Sequence, residues 1–226
     1  MKNKIVKILF VIIIQLSGCV TYYPQTVDIP LISKMHDLRL DGNVTGMISA
    51  NGTVSYGLTN HLALQIYGNG FHGHYYQGAA GYFANLGKIS VMEIYGGYGY
   101  GYGDAPNDAN PGNLYGHYHI YFTQFNLGQV DNYTKNRERG IGLKFGYLLS
   151  DFVDDNFYGR YPENVPLVAY KDRNLLIEPN GFIRFGGKKL KVNLKGGYCW
   201  IFKYTNKDKY FPYSHINIGL GLNYRF

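Results

Sequence analysis

Four of the seven histidines fall into two His-X-His pairs, His72/His74 and His117/His119. Side chains alternate faces along a strand, so each pair would present both imidazoles on one side, a geometry that can ligate zinc or copper. Both pairs sit among tyrosines (Tyr75, Tyr76, Tyr115, Tyr118), and neither brings a further ligand from its own neighbourhood. An interfacial role is the simpler reading, and no metal is expected. The carboxylates Asp151, Asp154, Asp155 and Glu163 form a second group. Placed against His117 they could activate water, but such a run is more simply a solvated acidic loop. Asp104, Asn107, Asp108 and Asn110 carry calcium-type oxygens, yet Pro106 and Pro111 among them suit turns. The glycine-rich stretches lack the strand-to-helix setting of a phosphate loop, which excludes nucleotide binding of that kind.

The two cysteines have different prospects. Cys19 ends the stretch Leu16-Ser17-Gly18-Cys19, which follows Lys2, Lys4, Lys7 and the apolar run LFVIIIQL. A basic start, a short apolar run and small residues describe an export signal, and the run is too short to span a bilayer. The tetrapeptide resembles the bacterial lipobox, which implies cleavage before Cys19 and covalent diacylglycerol and acyl chains, palmitate among them, on that residue. Val20 stands where an Asp would signal inner-membrane retention, and no acidic run follows to suggest surface display of the lipid. Residues 1–18 are thus expected to be a lipoprotein signal peptide and 19–36 a lipid-anchored periplasmic tether, extended by Pro24 and Pro30. Residues 37–226 form the folded unit. Losing the three lysines lowers the formal charge from +7 to +4, too small an excess to suggest nucleic acid. Cys199 then has no disulfide partner and is expected to face inward.

What positions these residues is alternation. No heptads and no 3.6-residue apolar stripe follow residue 20, whereas period-two patterning recurs to the end. Ile216, Ile218, Leu220, Leu222, Tyr224 and Phe226 are apolar, and the residues between them are small or polar. In YGGYGYGYG, Tyr98, Tyr100 and Tyr102 share one side and Gly97, Gly99 and Gly101 the other. Arg39, Glu93, Lys144, Glu178, Arg184, Lys191 and Lys195 all fall on the face opposite the oily one. Charge facing lipid costs about 2–4 kcal/mol at mid-bilayer, whereas charges of both signs can pair inside a lumen. Turns are expected near 51–52 (Asn-Gly, type I′), 59–61, 72–76, 86–88, 103–114, 129–136, 150–173, 186–189 and 204–213. Taken alternately, the set on the C-terminal side is mostly short and the other mostly long, the asymmetry of outer-membrane barrels. A mean hydropathy of −0.22 agrees, because only alternate residues meet lipid.

The last strand resembles the C-terminal signal strand of outer-membrane barrels, which implies that Tyr224 and Phe226 are read by the barrel assembly machinery. The mature chain as a whole resembles small, uncharacterised outer-membrane β-barrel lipoproteins of Gram-negative bacteria. The resemblance is carried by Cys19, the stretch from Tyr23-Pro24 to Pro30-Leu31, the hairpin Gly57–Ala63 and Phe226. It implies architecture and no reaction. The expectation is an all-β, antiparallel, up-and-down transmembrane barrel of ten strands, with eight as the alternative, anchored by lipid on the periplasmic side. Its lumen is filled by side chains, since a barrel this small has little room for water. It partners the outer-membrane bilayer and no nucleic acid. Its role is structural or lies in surface interaction through the loops at 104–114 and 150–173, with Phe157, Tyr158, Arg160 and Tyr161 as contacts for an unknown extracellular ligand. A narrow pore or transporter is one alternative. A rim-located hydrolase or acyltransferase using His117 and Asp154, with geometry similar to ten-stranded outer-membrane proteases, is another.

Overall fold

The computed structural model describes residues 22, 28–45, 49–70, 73–107, 112–130, 136–154, 168–207, 211 and 213–226. Cys19, His72, Asp155, Phe157, Tyr158, Arg160, Tyr161 and Glu163 lie outside them. The described chain runs through β1 (Leu38–Thr45), β2 (Ala50–Gly57), β3 (Leu62–Gly70), β4 (His74–Asn85), β5 (Ser90–Asn107) and β6 (Gly112–Val130). It continues through β7 (Arg137–Asp154), β8 (Val168–Gly186), β9 (Leu190–Tyr198), β10 (Trp200–Lys203) and β11 (Ile216–Arg225). Each strand pairs antiparallel with its neighbour in sequence from β1 to β9. β11 pairs with both β9 and β1, which closes the sheet on itself. β10 continues β9 against β8 after a break at Cys199. The break falls beside Pro179 of β8, which has no N–H to give a ladder. Counted as staves, the barrel has ten.

The seam is formed by the terminal strand. Leu40 faces Tyr224 and Thr45 faces Gly219, and the Phe226 amide donates to the Leu38 carbonyl at 3.1 Å. Closure gives each stave a partner on both sides, except where β5 beyond Tyr102 and β8 before Asn174 rise past their shorter neighbours.

Three turn expectations are corrected. Asn51 and Gly52 are inside β2, opposite Asn43 and Gly42, and the chain reverses between Thr45 and Ser49. The inward polar row Asn51, Thr53, Ser55 is unbroken by a turn there, and Asn43 donates to the Asn51 side chain at 3.2 Å. The connections at 103–114 and 150–173 are shorter than expected, because β5 reaches Asn107, β6 starts at Gly112, β7 reaches Asp154 and β8 starts at Val168. Pro106 pairs opposite Asn113 instead of turning the chain. β5 to β8 have 18 or 19 residues and β1 to β4 have 8 to 12, so one side of the wall is much taller. A strand needs only about 9–11 residues to cross a bilayer, so the tall side projects beyond such a layer.

The short connections after β2, β4, β6 and β8 share an end with the C-terminus, here the turn end. Those after β1, β3, β5, β7 and β10 define the loop end.

Candidate functional site

The outer surface carries a ring of large apolar groups contributed by every strand, among them Leu64, Ile66, Met92, Tyr98, Phe125, Phe145, Ile183, Leu194, Phe202 and Leu220. In β7 the outward row runs Arg139, Ile141, Leu143, Phe145, Tyr147, Leu149, Asp151. In β8 it runs Lys171, Arg173, Leu175, Ile177, Pro179, Gly181, Ile183, Phe185. Charges thus bracket an apolar stretch of nine residues in β7, Ile141 to Leu149. At about 3.3 Å per residue and a tilt near 40°, that is a band about 23 Å tall, matching a hydrocarbon-facing belt.

Aromatic and histidine side chains line the loop-end border of this band. His74, Tyr102 and His117 are cross-strand neighbours on one outward row, with ring centroids 5.7 Å and 5.1 Å apart in turn. The next row holds Tyr76, Tyr100 and His119. Tyr100 Oη lies 2.6 Å from His117 Nδ1, and Tyr98 Oη lies 2.6 Å from His119 Nδ1. Both imidazoles of the second pair therefore point outward, as the alternation required, and each is engaged by a tyrosine. A whole strand separates His74 from His117, and among the described residues no three His, Cys, Asp or Glu side chains gather as metal ligands would. Asp151 is the cross-strand neighbour of His117 and pairs with Lys171 at 3.5 Å, whereas Asp154 lies three residues further along β7, in register with Leu114.

The inward face is where the charges converge. Arg184 lies 3.4 Å from both Asp41 and Glu138 and 3.5 Å from Asp28. Lys195 pairs with Asp28 at 2.5 Å, and Arg39 with Glu138 at 2.8 Å. Arg39 and Arg225 are directly opposed across the seam, and Asp37 lies between them at 3.8 Å and 2.6 Å. Higher up, Lys144 lies 3.7 Å from Glu178 and 4.5 Å from the centroid of the Phe122 ring. All of these side chains but Arg225 are essentially sealed from solvent. Such groups are tolerable only as a mutually compensated set, which both signs provide.

This network includes residues that do not belong to the wall. Of the expected periplasmic tether, Tyr22 and residues 28–32 lie inside the barrel, whereas Lys34, Met35 and His36 are exposed at the turn end. Ile29, Leu31 and Ile32 are at most 1% exposed, and Asp28 is 3% exposed. Ile32 N–H donates to Glu93 at 2.7 Å, Gln65 and Gln124 donate to the Asp28 carbonyl, and Arg184 donates to the Ile29 carbonyl at 2.8 Å. Tyr22 is fully buried and donates its hydroxyl to Glu178 at 2.8 Å. The physical reason lies in the sequence DIPLI. Three aliphatic side chains each gain about 1.5–3 kcal/mol by leaving water, and a solvated tether would forgo that gain. The lumen is filled by main chain as well as side chains.

Aromatic packing fills the loop half of the lumen. Tyr75 and Tyr118 stack at 5.8 Å, and Tyr22 meets Tyr118 edge-on at 5.5 Å. The Tyr-Gly repeat makes room for them. A Cβ on Gly99 would collide with Tyr75 Oη, one on Gly101 with the Tyr118 ring, and one on Gly97 with Phe122. Cys199 is buried here, inward as expected.

No family model matches the sequence, and no curated protein matches it. Among solved structures, the N-terminal β-barrel domain of Pseudomonas aeruginosa OprF is similar, at 11% identity and a TM-score of 0.34, over 85% of this chain and 98% of that one. A superposition that loose carries no argument, and the architecture rests on its own strand ladders.

Tyr224 and Phe226 end the seam strand with their rings 4.7 Å apart. The inward segment at Tyr22 and 28–32 is the element that the residue motifs do not reveal. Its one visible signal was an aliphatic cluster next to Asp28, placed where a water-exposed linker was expected.

Proposed function

We propose that this protein is an outer-membrane β-barrel lipoprotein, acylated on Cys19, whose lumen is closed and whose role is structural or lies in surface interaction at the loop end. The observation that carries the reading is the charge-free outward belt between Arg139 at one end and Asp151 and Arg173 at the other. A row of exposed Leu, Ile, Phe and Tyr on all sides of a closed wall has no soluble core to join, and a bilayer supplies the missing environment. The filled interior leaves the loop end as the surface free to meet partners, with 155–167 its longest connection. Phe157, Tyr158, Arg160 and Tyr161 are the contact residues we propose within it.

Trp200 is the one tryptophan of the chain and faces outward at 45% exposure, so it reports the surroundings of the wall directly. In reconstituted vesicles its fluorescence is expected to be quenched by brominated acyl chains and protected from aqueous iodide. Strong iodide quenching with no effect of bromolipid would overturn the membrane assignment. For the loop, replacing residues 156–166 with a short Gly-Ser linker is expected to abolish surface partner capture while leaving the folded barrel intact.

A further inference from the structure

The inward segment has a direction, and the direction decides where the N-terminus emerges. Asp37 and Ser33 are tied to the turn end. Arg225 holds Asp37, Asn85 donates to the Ser33 carbonyl at 2.9 Å, and His36 N–H donates to the Gly57 carbonyl at 2.8 Å. From there the contacts climb β6. Leu31 lies against Gly128, the Asp28 carbonyl accepts from Gln124, and the Tyr22 ring packs on Tyr118. Going from Gly128 to Tyr118 is ten residues of strand, about 33 Å along its path and about 25 Å along the barrel axis at a tilt near 40°. Tyr118 sits between His117 and His119, the outward residues of the loop-end border, so Tyr22 lies at the depth of that border. On its other side Tyr22 bridges to Tyr213, and its carbonyl accepts from Ser214, close to where β11 begins on the low side of the rim.

We infer that the chain threads the barrel from the loop end to the turn end, so that Cys19 and its acyl groups emerge at the loop end, on the cell surface, with their target the outer leaflet. Only Val20 and Thr21 separate Cys19 from Tyr22, and the three steps of chain reach at most about 11 Å. That falls well short of the distance back to the turn end. A lipid on Cys19 therefore has no route to the periplasmic leaflet while Tyr22 keeps its contacts with Glu178 and Tyr118. This reverses the sidedness expected from the sequence, where the residues after Cys19 carried no surface-display signal. The inference rests on the outer-membrane reading, with loops outside, given above.

The test places single thiols at three positions, Thr21→Cys, Tyr158→Cys and Lys188→Cys, in otherwise native full-length protein. Intact cells are exposed to a membrane-impermeant maleimide, and labelling is repeated after permeabilisation. Cys199 is buried, so the parent chain sets the background. Positions 21 and 158 are expected to label in intact cells at least tenfold above the parent, and position 188 only after permeabilisation. If position 21 behaves like 188 while 158 labels from outside, the threading direction is wrong and the barrel reading stands. If 158 and 188 label alike in intact cells, the membrane reading fails and takes the inference with it. A thiol at 21 that reacts only after denaturation also overturns the inference, since the chain would not emerge. Palmitate incorporation that is lost in Cys19→Ala reports acylation as a separate readout.

Discussion

Glycine at position 99 is set by a side chain of the adjacent strand β4. Tyr75 fills the space that a side chain on Gly99 would take, and Tyr75 in turn stacks on Tyr118 and donates to Gln77 at 3.1 Å. A methyl group there meets the rigid end of a phenol ring, which has no free rotamer to yield. Gly96, three residues earlier and facing outward, has open space where a Cβ would stand. Gly99→Ala is therefore expected to lower stability by about 1–3 kcal/mol, and Gly96→Ala to stay within about 0.5 kcal/mol of the parent. Urea midpoints of the refolded protein in detergent distinguish the two, and equal shifts would remove the packing explanation of the repeat. The same pair shows what sequence can convey at this scale. Alternation told which glycines face inward, but not that Tyr75, Tyr118 and Phe122 lean over them from other strands.

At the scale of the strand, the outward rows obey one rule, and a single residue tests it. Phe145 is 43% exposed and central in the apolar stretch of β7, flanked by Leu143 and Tyr147 on the same face. Phe145→Arg puts a guanidinium at mid-belt, at an expected cost of about 2–4 kcal/mol when the protein folds into lipid. Asp151→Arg, at the loop-end border, is expected to cost no more than about 1 kcal/mol. Folding titrations into vesicles, followed by the electrophoretic shift between boiled and unboiled samples, give both values. Equal costs would mean that the band does not meet hydrocarbon. The period-two pattern made these faces readable in the sequence, from Leu38 to Phe226, because an apolar outer face and charge pairing inside place opposite chemistry on adjacent residues. Where both faces carry similar residues the signal fades. Asp104, Pro106 and Asn107 look like a turn because all three are turn-forming types, although the backbone continues through them as β5. Asn51-Gly52 misled in the same way: turn preference is local, while register is set by the whole ladder and its inward polar row.

The molecule as a whole is a wall of ten staves around a segment of its own chain, and size explains the arrangement. An eight-stranded barrel is just filled by its side chains, and diameter grows with strand number, so ten staves leave extra width. Ile29, Leu31, Ile32 and Tyr22 occupy that width, and the Asp28 carboxylate adds an anion beside Arg184 and Lys195. The intact protein in planar bilayers is therefore expected to carry no steady current. A variant lacking residues 22–32, which keeps Cys19 and joins it to the turn-end anchor at Ser33, loses that occupant. The wall retains its strand ladders and its own pairs, Arg39 with Glu138 and Lys144 with Glu178. Arg184 and Lys195, deprived of Asp28, then leave excess positive charge lining the opened path. Ohmic single-channel current with a preference for anions is the expected result, in protein whose unboiled electrophoretic mobility shows that it has folded. Steady current through the intact chain, or silence from the folded deletion variant, would each show that the segment is not what closes the barrel.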